Sequence, residues 1–341
     1  MTEEIQGLTA GELTALVESE GHRPYRARQL LRWLYRRDCL DYEEMTDLPA
    51  AFRSVMAARH PLVGMTPLRW IEASDGTQKV LLELTDKARI EAVFMPYEDR
   101  CTVCISTQVG CPLGCRFCAT GALGFTRHLS AAEIIAQLTV LRRRIPAVRQ
   151  GNIVLMGMGE PLLNVTNVLR ALRIMTADWG MGLSKRKITV STAGIIPGMR
   201  VLADSGLGVN LSVSLNAPVD LLRSRLMPIN TTYPLRDLMD ACRAYPLAPG
   251  RRITYEYVLI KDFNDQDVHA GQLVDLLDRR RAKINLIPLN PTAHFPFQPP
   301  SPERLNRFQE ILFAANLSAF IRESKGAGIT AACGQLAAGE P

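Results

Sequence analysis

The sequence predicts an α/β fold: parallel strand–helix units forming a barrel or an open portion of one, behind a small helical module. Three observations predict it. Six strand-like runs, at 102–106, 152–156, 187–192, 208–215, 253–260 and 283–289, alternate with helical patterns near 130–144, 164–177, 197–205, 234–244, 266–280 and 302–315. The 341 residues are 47% hydrophobic and 22% charged, enough for a buried core and for two domains. Five of the eight cysteines, Cys101, Cys104, Cys111, Cys115 and Cys118, crowd around the end of the first of these strands. In parallel α/β folds chemistry belongs at the carboxyl ends of strands.

Taken in order, residues 8–18 and 27–35 show helical spacing, with Leu30, Leu31 and Leu34 on one face. Around them Arg23, Arg26, Arg28, Arg32, Arg36 and Arg37 run without an acid, interleaved with Tyr25, Trp33 and Tyr35. Such a face suits phosphates, or equally a solvated helix whose aromatics pack inward. At 77–84 and 89–95 the period becomes that of strands, a hairpin around Thr85-Asp86-Lys87. The expected division is therefore 1–75 helical accessory domain, 76–100 hairpin extension, 101–323 barrel and 324–341 tail. Gly326, Gly328, Gly334 and Gly339 give that tail freedom to swing.

Charge and targeting narrow the classes. A net charge of +6 permits a polyanionic partner without requiring one. The opening Met-Thr-Glu-Glu-Ile is acidic and not a signal peptide, and no apolar run approaches a membrane span. A reducing cytoplasmic setting is expected, in which clustered cysteines serve metal or catalysis and not a disulfide framework.

The most informative stretch is Cys111-Pro-Leu-Gly-Cys115-Arg-Phe-Cys118. Three thiolates on one short loop can each hold a corner iron of a [4Fe–4S] cube and leave the fourth iron open. Structural zinc takes four ligands, and the next candidate, His128, is ten residues on. A ferredoxin-type carrier supplies its own fourth cysteine. Here the chain resembles the radical S-adenosylmethionine (SAM) superfamily, which implies a partial (β/α)6 barrel whose open iron chelates SAM and reduces it to a 5′-deoxyadenosyl radical. The resemblance extends to Gly157-Met158-Gly159-Glu160-Pro161, Ser191-Thr192-Ala193-Gly194 and Ser214-Leu215-Asn216, each after a strand. It implies SAM contacts from Gly159, Glu160, Ser191, Ser214, Leu215, Asn216 and Asn290. Glycine allows close backbone approach, and Glu160 can accept hydrogen bonds from the SAM ammonium.

Two further cysteines narrow the resemblance. Alone, Cys104 and Cys333 read as small apolar residues, and Cys101 and Cys104 point to opposite faces of a strand. Yet Cys104-Ile-Ser-Thr-Gln-Val-Gly-Cys111, Met156-Gly-Met-Gly-Glu-Pro-Leu162, Lys283-Ile-Asn-Leu-Ile-Pro-Leu-Asn290-Pro291 and Ala331-Ala-Cys-Gly-Gln-Leu336 are similar to the RlmN-type RNA methyltransferases, kin to Cfr, over essentially the whole chain. The resemblance implies methylation of carbon 2 of adenine 2503 in 23S rRNA and of adenine 37 in certain tRNAs. It implies Cys333 as the methyl-carrying thiol, Cys104 as the resolving thiol in a transient disulfide, and Glu91 as the proton acceptor. Two positions depart from the family pattern: Asn216 stands where many members carry His, and Gly328 where Asp is usual.

Chemistry supports this expectation. Carbon 2 of adenine is electron-poor and cannot attack the SAM methyl group, whereas a thiolate can. Two SAM molecules per turnover are expected: one methylates Cys333, and the other activates that methyl group for addition to carbon 2. The resulting covalent protein–RNA adduct must lose a ring proton, to Glu91, and its sulfur, to Cys104. Without the resemblance, Glu91 reads as an outward-facing residue of an alternating strand. Expected partners are 23S rRNA, tRNA, an electron donor and a disulfide reductant; the expected state is a monomer. Arg142-Arg143-Arg144, Lys185-Arg186-Lys187, Arg251-Arg252 and Arg279-Arg280-Arg281 are basic clusters, some of them expected on phosphate. Cfr-like methylation of carbon 8, and a non-catalytic RNA-binding protein with a structural metal, remain as alternatives. Cys39, Cys101 and Cys242 are left for packing.

Overall fold

In the computed structural model, which describes residues 4–338, three helices come first: α1 (Ala10–Ser19), α2 (Tyr25–Arg36) and α3 (Ala50–Arg59). Residues 1–3 of the opening and 339–341 of the tail, Gly339 among them, lie outside the described residues. Thr9 and Glu12 close a capping box that fixes the start of α1. On α2 the leucines face inward with Trp33 and Tyr35, while Arg23, Arg28, Arg32 and Arg37 stay exposed.

An antiparallel meander follows: β1 (Met65–Glu72), β2 (Gln78–Leu84), β3 (Arg89–Pro96) and β4 (Cys101–Cys104). The sequence reading anticipated two strands before the barrel. The additional strand, β1, falls inside the stretch assigned to the helical module. It is mostly exposed and interrupted by a bulge between Pro67 and Arg69, so it lacks the alternation that marks a strand.

A separate ribbon, β5 (Gln108–Gly110) and β6 (Phe125–His128), brackets the short α4 (Ala119–Ala122). Then come α5 (Ala131–Arg144), β7 (Asn152–Leu155), α6 (Val165–Thr176), β8 (Ile188–Thr192), α7 (Ile196–Asp204), β9 (Asn210–Ser214), α8 (Asp220–Leu226) and α9 (Leu235–Ala244). The remaining elements are β10 (Ile253–Leu259), α10 (Asp267–Leu276), β11 (Ala282–Pro288), α11 (Pro302–Ala314) and β12 (Ala319–Ile321). All six expected strand–helix units are present. Their strands join β1, β2, β3 and β12 in one ten-stranded sheet, in the order β1-β2-β3-β4-β7-β8-β9-β10-β11-β12, parallel from β4 onward. Among the described residues β1 and β12 do not pair, so the barrel is partial. No helix among them is long and apolar enough to cross a membrane.

Strand alternation sets the two faces. Ile153, Leu155, Ile188, Val190, Leu211, Val213, Tyr255, Tyr257, Ile284 and Leu286 are buried in the core. Their neighbours Val154, Thr189, Thr254, Glu256, Lys283 and Asn285 line an interior cavity instead. The helical module is fixed to this frame by arginines. Asp38 lies 2.5 Å from Arg149 and 3.5 Å from Arg142, Arg143 is 2.8 Å from Glu44, and Arg144 stacks on Trp70. Of the cluster Arg142-Arg143-Arg144, Arg142 is buried in this junction, while Arg143 and Arg144 stay exposed.

Candidate active site

The ribbon shapes the cysteine loop. Gly110 takes φ +72°, and a Cβ there would fall 2.0 Å from the carbonyl oxygen of Gly124, which accepts a hydrogen bond from Cys111 N at 2.7 Å. Glycine is required there by both conformation and close approach. Arg116 N donates to Leu226 O (2.8 Å), and Cys118 N to Cys115 O (3.2 Å). Burial pushes all three thiols up, Cys111 to about 12 and Cys115 well above the ordinary range. At Cys115 the charges of Cys118, Cys111 and Glu160 add to burial, and only Arg223 opposes them.

Three clustered thiols that resist ionisation together form a donor set suited to a strongly cationic group. Among the described residues no group of three or more His, Cys, Asp or Glu side chains converges as one metal ion would require. A cubane, which gives each thiolate its own iron, does not need that convergence. Cys111, Cys115 and Cys118 therefore fit the cluster in chemistry and placement.

The loops after β7, β8 and β9 are braced around them. Gly159, at φ +99°, leaves room for Gln108, whose Oε1 accepts from Glu160 N at 2.7 Å. Glu160 is buried; its Oε1 accepts from Leu162 N (3.0 Å) and its Oε2 from Ala193 N (2.7 Å). Burial pushes its carboxyl up to about 7 against these bonds. Ser191 and Ser214 are half-buried at the ends of β8 and β9, on the faces opposite the core residues Val190 and Val213.

Asn216, at φ +59°, is buried; its Oδ1 accepts from Val258 N (2.9 Å) and its Nδ2 approaches Met227 Sδ (3.2 Å). Its amide braces the loop. Leu215 is fully buried and donates its N–H to Glu256 O (2.9 Å).

The sequence reading missed Arg223. This α8 side chain is fully buried and donates to the carbonyls of Leu215 (3.1 Å), Ala193 (2.6 Å) and Ser214 (3.3 Å). It ties the loops after β8 and β9 together. Burial lowers its guanidinium to about 10. An arginine in a short helix carries no sequence signal for such a task.

The tail lies across the mouth of the cavity, which measures about 580 Å³ and is lined by Cys104, Cys118, Asn290 and Cys333 among others. Thr120 Oγ1 donates to Leu336 O (2.7 Å), Ala119 N to Gly334 O (2.7 Å), Asn290 Nδ2 to Cys333 O (3.1 Å) and Gln335 Nε2 to Pro291 O (3.0 Å). Asn290, expected on SAM, lines the cavity and also holds the tail. Cys333 is exposed where it lines the cavity, yet the protein enclosing its thiol withholds water and pushes it up to about 11, with smaller contributions from the charges of Glu256 and Cys118. Cys104 is also pushed up, chiefly by burial and then by the charge of Cys333. Both thiols are free. Gly328 does not prevent this docking, since Gly326 N reaches Asp75 Oδ2 (3.1 Å) and Thr330 reaches Lys79.

Glu91 is buried on β3. Val93, two residues on, pairs with Cys104, so Glu91 points to the same face as Cys104. Its Oε1 is 2.9 Å from Lys79 Nζ, and its Oε2 accepts from Ala337 N (2.8 Å) and Ala338 N (3.2 Å). Ser106 Oγ donates to the Glu91 carbonyl (2.7 Å) and accepts from Met158 N (2.8 Å), joining β3 to the loop after β7.

The chain is similar to known proteins throughout. Residues 105–272 match the model of the radical SAM superfamily, and residues 3–60 that of the ribosomal RNA large subunit methyltransferase N-terminal domain. A dual-specificity RNA methyltransferase RlmN from Syntrophobacter fumaroxidans is 48% identical over 335 residues, 98% of each chain. Its counterpart from Geobacter sulfurreducens is 47% identical over 98% of this chain and 91% of that one. A radical SAM methyltransferase from Sphaerobacter thermophilus, solved by crystallography, has a TM-score of 0.95 at 47% identity, covering 98% of this chain and 99% of that one.

Proposed function

Because the chain belongs to the RlmN family of radical SAM RNA methyltransferases, we propose that it methylates carbon 2 of adenine 2503 in 23S rRNA and of adenine 37 in certain tRNAs, through Cys333. The observation that carries this reading is the placing of Cys333, Cys104 and Cys118 on one cavity. A thiol that accepts a methyl group, a thiol that can attack its sulfur and a cluster ligand share a single space. That combination serves no ordinary polar methyl transfer.

When bound, the [4Fe–4S] cluster and SAM supply the one-electron chemistry that removes a hydrogen atom from a methyl group. Cys111, Cys115 and Cys118 hold the cluster; Gly159, Glu160, Ser191, Ser214, Leu215, Asn216 and Asn290 border the SAM site. Cys333 takes a methyl group as a thiolate and carries it to carbon 2, which must first be unstacked from the RNA. Glu91 accepts the ring proton. The unpaired electron that radical addition leaves on the ring must pass to a one-electron acceptor; Cys104, as a thiolate, then attacks Cys333 Sγ, the sulfur–carbon bond breaks, its electron pair stays on carbon, and that carbon takes up a proton to become the methyl group. The Cys104–Cys333 disulfide left behind needs an outside reductant, as the cluster needs an electron donor.

The test is anaerobic turnover on both RNAs, with the methylated atom mapped and Cys333 followed by intact mass. The expected result is a methyl group on Cys333 and on carbon 2. Methylation at carbon 8 would replace the regiochemistry. Wild-type RNA methylation by Cys333→Ala would overturn the mechanism.

A further inference from the structure

We propose that Lys79 is a positioning residue for Glu91, holding Oε1 so that Oε2 is the oxygen presented to the substrate proton. The inference rests on the reading of Glu91 as proton acceptor.

Lys79 is on β2, opposite Val93 of β3, so it shares a face with Glu91 and Cys104. Its side chain is only 8% exposed and that of Glu91 only 2%. Burying both charges is costly unless they meet, and the 2.9 Å contact between Nζ and Oε1 meets that need. The same Nζ donates to Thr330 Oγ1 (2.8 Å) and Thr330 O (3.1 Å). With three donors and three acceptors, the ammonium is fully assigned.

The two carboxylate oxygens of Glu91 therefore have different partners. Oε1 is held from within the sheet by a side chain on the adjacent strand. Oε2 is held by the backbone N–H groups of Ala337 and Ala338, close to the end of the chain. Residues 337 and 338 pair with no strand and can step aside, whereas the Lys79 backbone is fixed between Ile71 and Val93 of the neighbouring strands. Oε2 is thus the oxygen that substrate can reach, while Cys333, four residues earlier, stays in the cavity. At the proton transfer the C2–H bond breaks, its electron pair stays in the ring, and the proton passes to Oε2. Lys79 keeps its proton and its hold on Oε1 throughout.

The experiment uses the reconstituted holoenzyme with SAM and an RNA fragment carrying the target adenine. Intact mass reports methylation of Cys333 and RNA-linked protein, and kcat and KM are measured for RNA. Lys79→Met is expected to methylate Cys333 at the wild-type rate, to lose at least tenfold in kcat with KM unchanged, and to accumulate RNA-linked protein. Lys79→Arg is expected to restore most of kcat. Thr330→Val, which removes the Oγ1 contact and leaves the carbonyl one, is expected to accumulate no linked protein.

Wild-type kcat in Lys79→Met overturns the proposal. So does a parallel loss of Cys333 methylation, which marks a structural role, and so does linked protein in Thr330→Val at the level of Lys79→Met. Glu91→Gln run alongside separates the two ideas. Linked protein there but not in Lys79→Met defeats the Lys79 proposal alone; normal turnover by Glu91→Gln defeats the reading of Glu91.

Discussion

Arg223 Nη2 lies 2.6 Å from the carbonyl oxygen of Ala193, and through Nε the same guanidinium holds Leu215 O. One buried cation thereby fixes the spacing of two loops that carry the proposed SAM contacts. Arg223→Met would leave buried carbonyls without a donor, at a cost of about 3 kcal/mol. Equilibrium dialysis of the folded variant should show weaker SAM binding with iron content retained. Undiminished SAM affinity would mean that the loops hold their spacing without it.

Asp38 predicts a different kind of loss. Burial pushes its carboxyl up in spite of Arg142 and Arg149, so the ion pair does not repay its own desolvation. Removing one partner is nevertheless worse, because Arg142 has a side chain only 3% exposed. Asp38→Ala should cost about 3–5 kcal/mol in urea unfolding. Asp38→Asn, which keeps an acceptor, should cost less. Equal losses would show that shape and not charge governs the junction.

Glu256 carries a pH dependence. It is buried in the cavity wall, and burial raises its carboxyl although Ser212 Oγ (2.7 Å) and Asn285 Nδ2 (2.9 Å) donate to it. A carboxyl raised on folding binds its proton more tightly in the native state. Its contribution to stability is therefore complete below the unfolded value near 4.5 and lost as pH rises through the folded one. Glu256→Gln should match the wild type in thermal stability at acid pH and exceed it increasingly toward neutral and alkaline pH. A constant difference between the two melting curves would remove the titration from the account.

What was legible in the sequence follows from range. Strand alternation and CxxxCxxC spacing are local, so the six strand–helix units and the cysteine loop could be read directly. Lys79 and Thr330 are 251 positions apart, and on paper Lys79 is an unremarkable lysine of an alternating strand. The tail fold that buries it has no local signature. Asn216 is silent in another way: a left-handed backbone is not readable from an asparagine in a strand-end loop, yet it brings the amide to Val258 and Met227. The strand β1 was hidden because exposure and a bulge erase the apolar period.

Gly110 offers the sharpest test of how the cysteine loop is held. Alanine there would meet Gly124 O at 2.0 Å, and that oxygen anchors Cys111 N. The methyl group and the hydrogen bond cannot coexist, so Cys111 must move. Because the ribbon β5–β6 is separate from the main sheet, Gly110→Ala should melt close to the wild type while binding much less iron and sulfide on anaerobic reconstitution. Gly114→Ala is the control. Gly114 also has positive φ, +59°, but nothing lies within 4 Å of its added Cβ. It bears only the backbone strain of about 1–2 kcal/mol and should keep most of its iron. If both variants lose the cluster equally, left-handed strain and not the contact with Gly124 sets the loop.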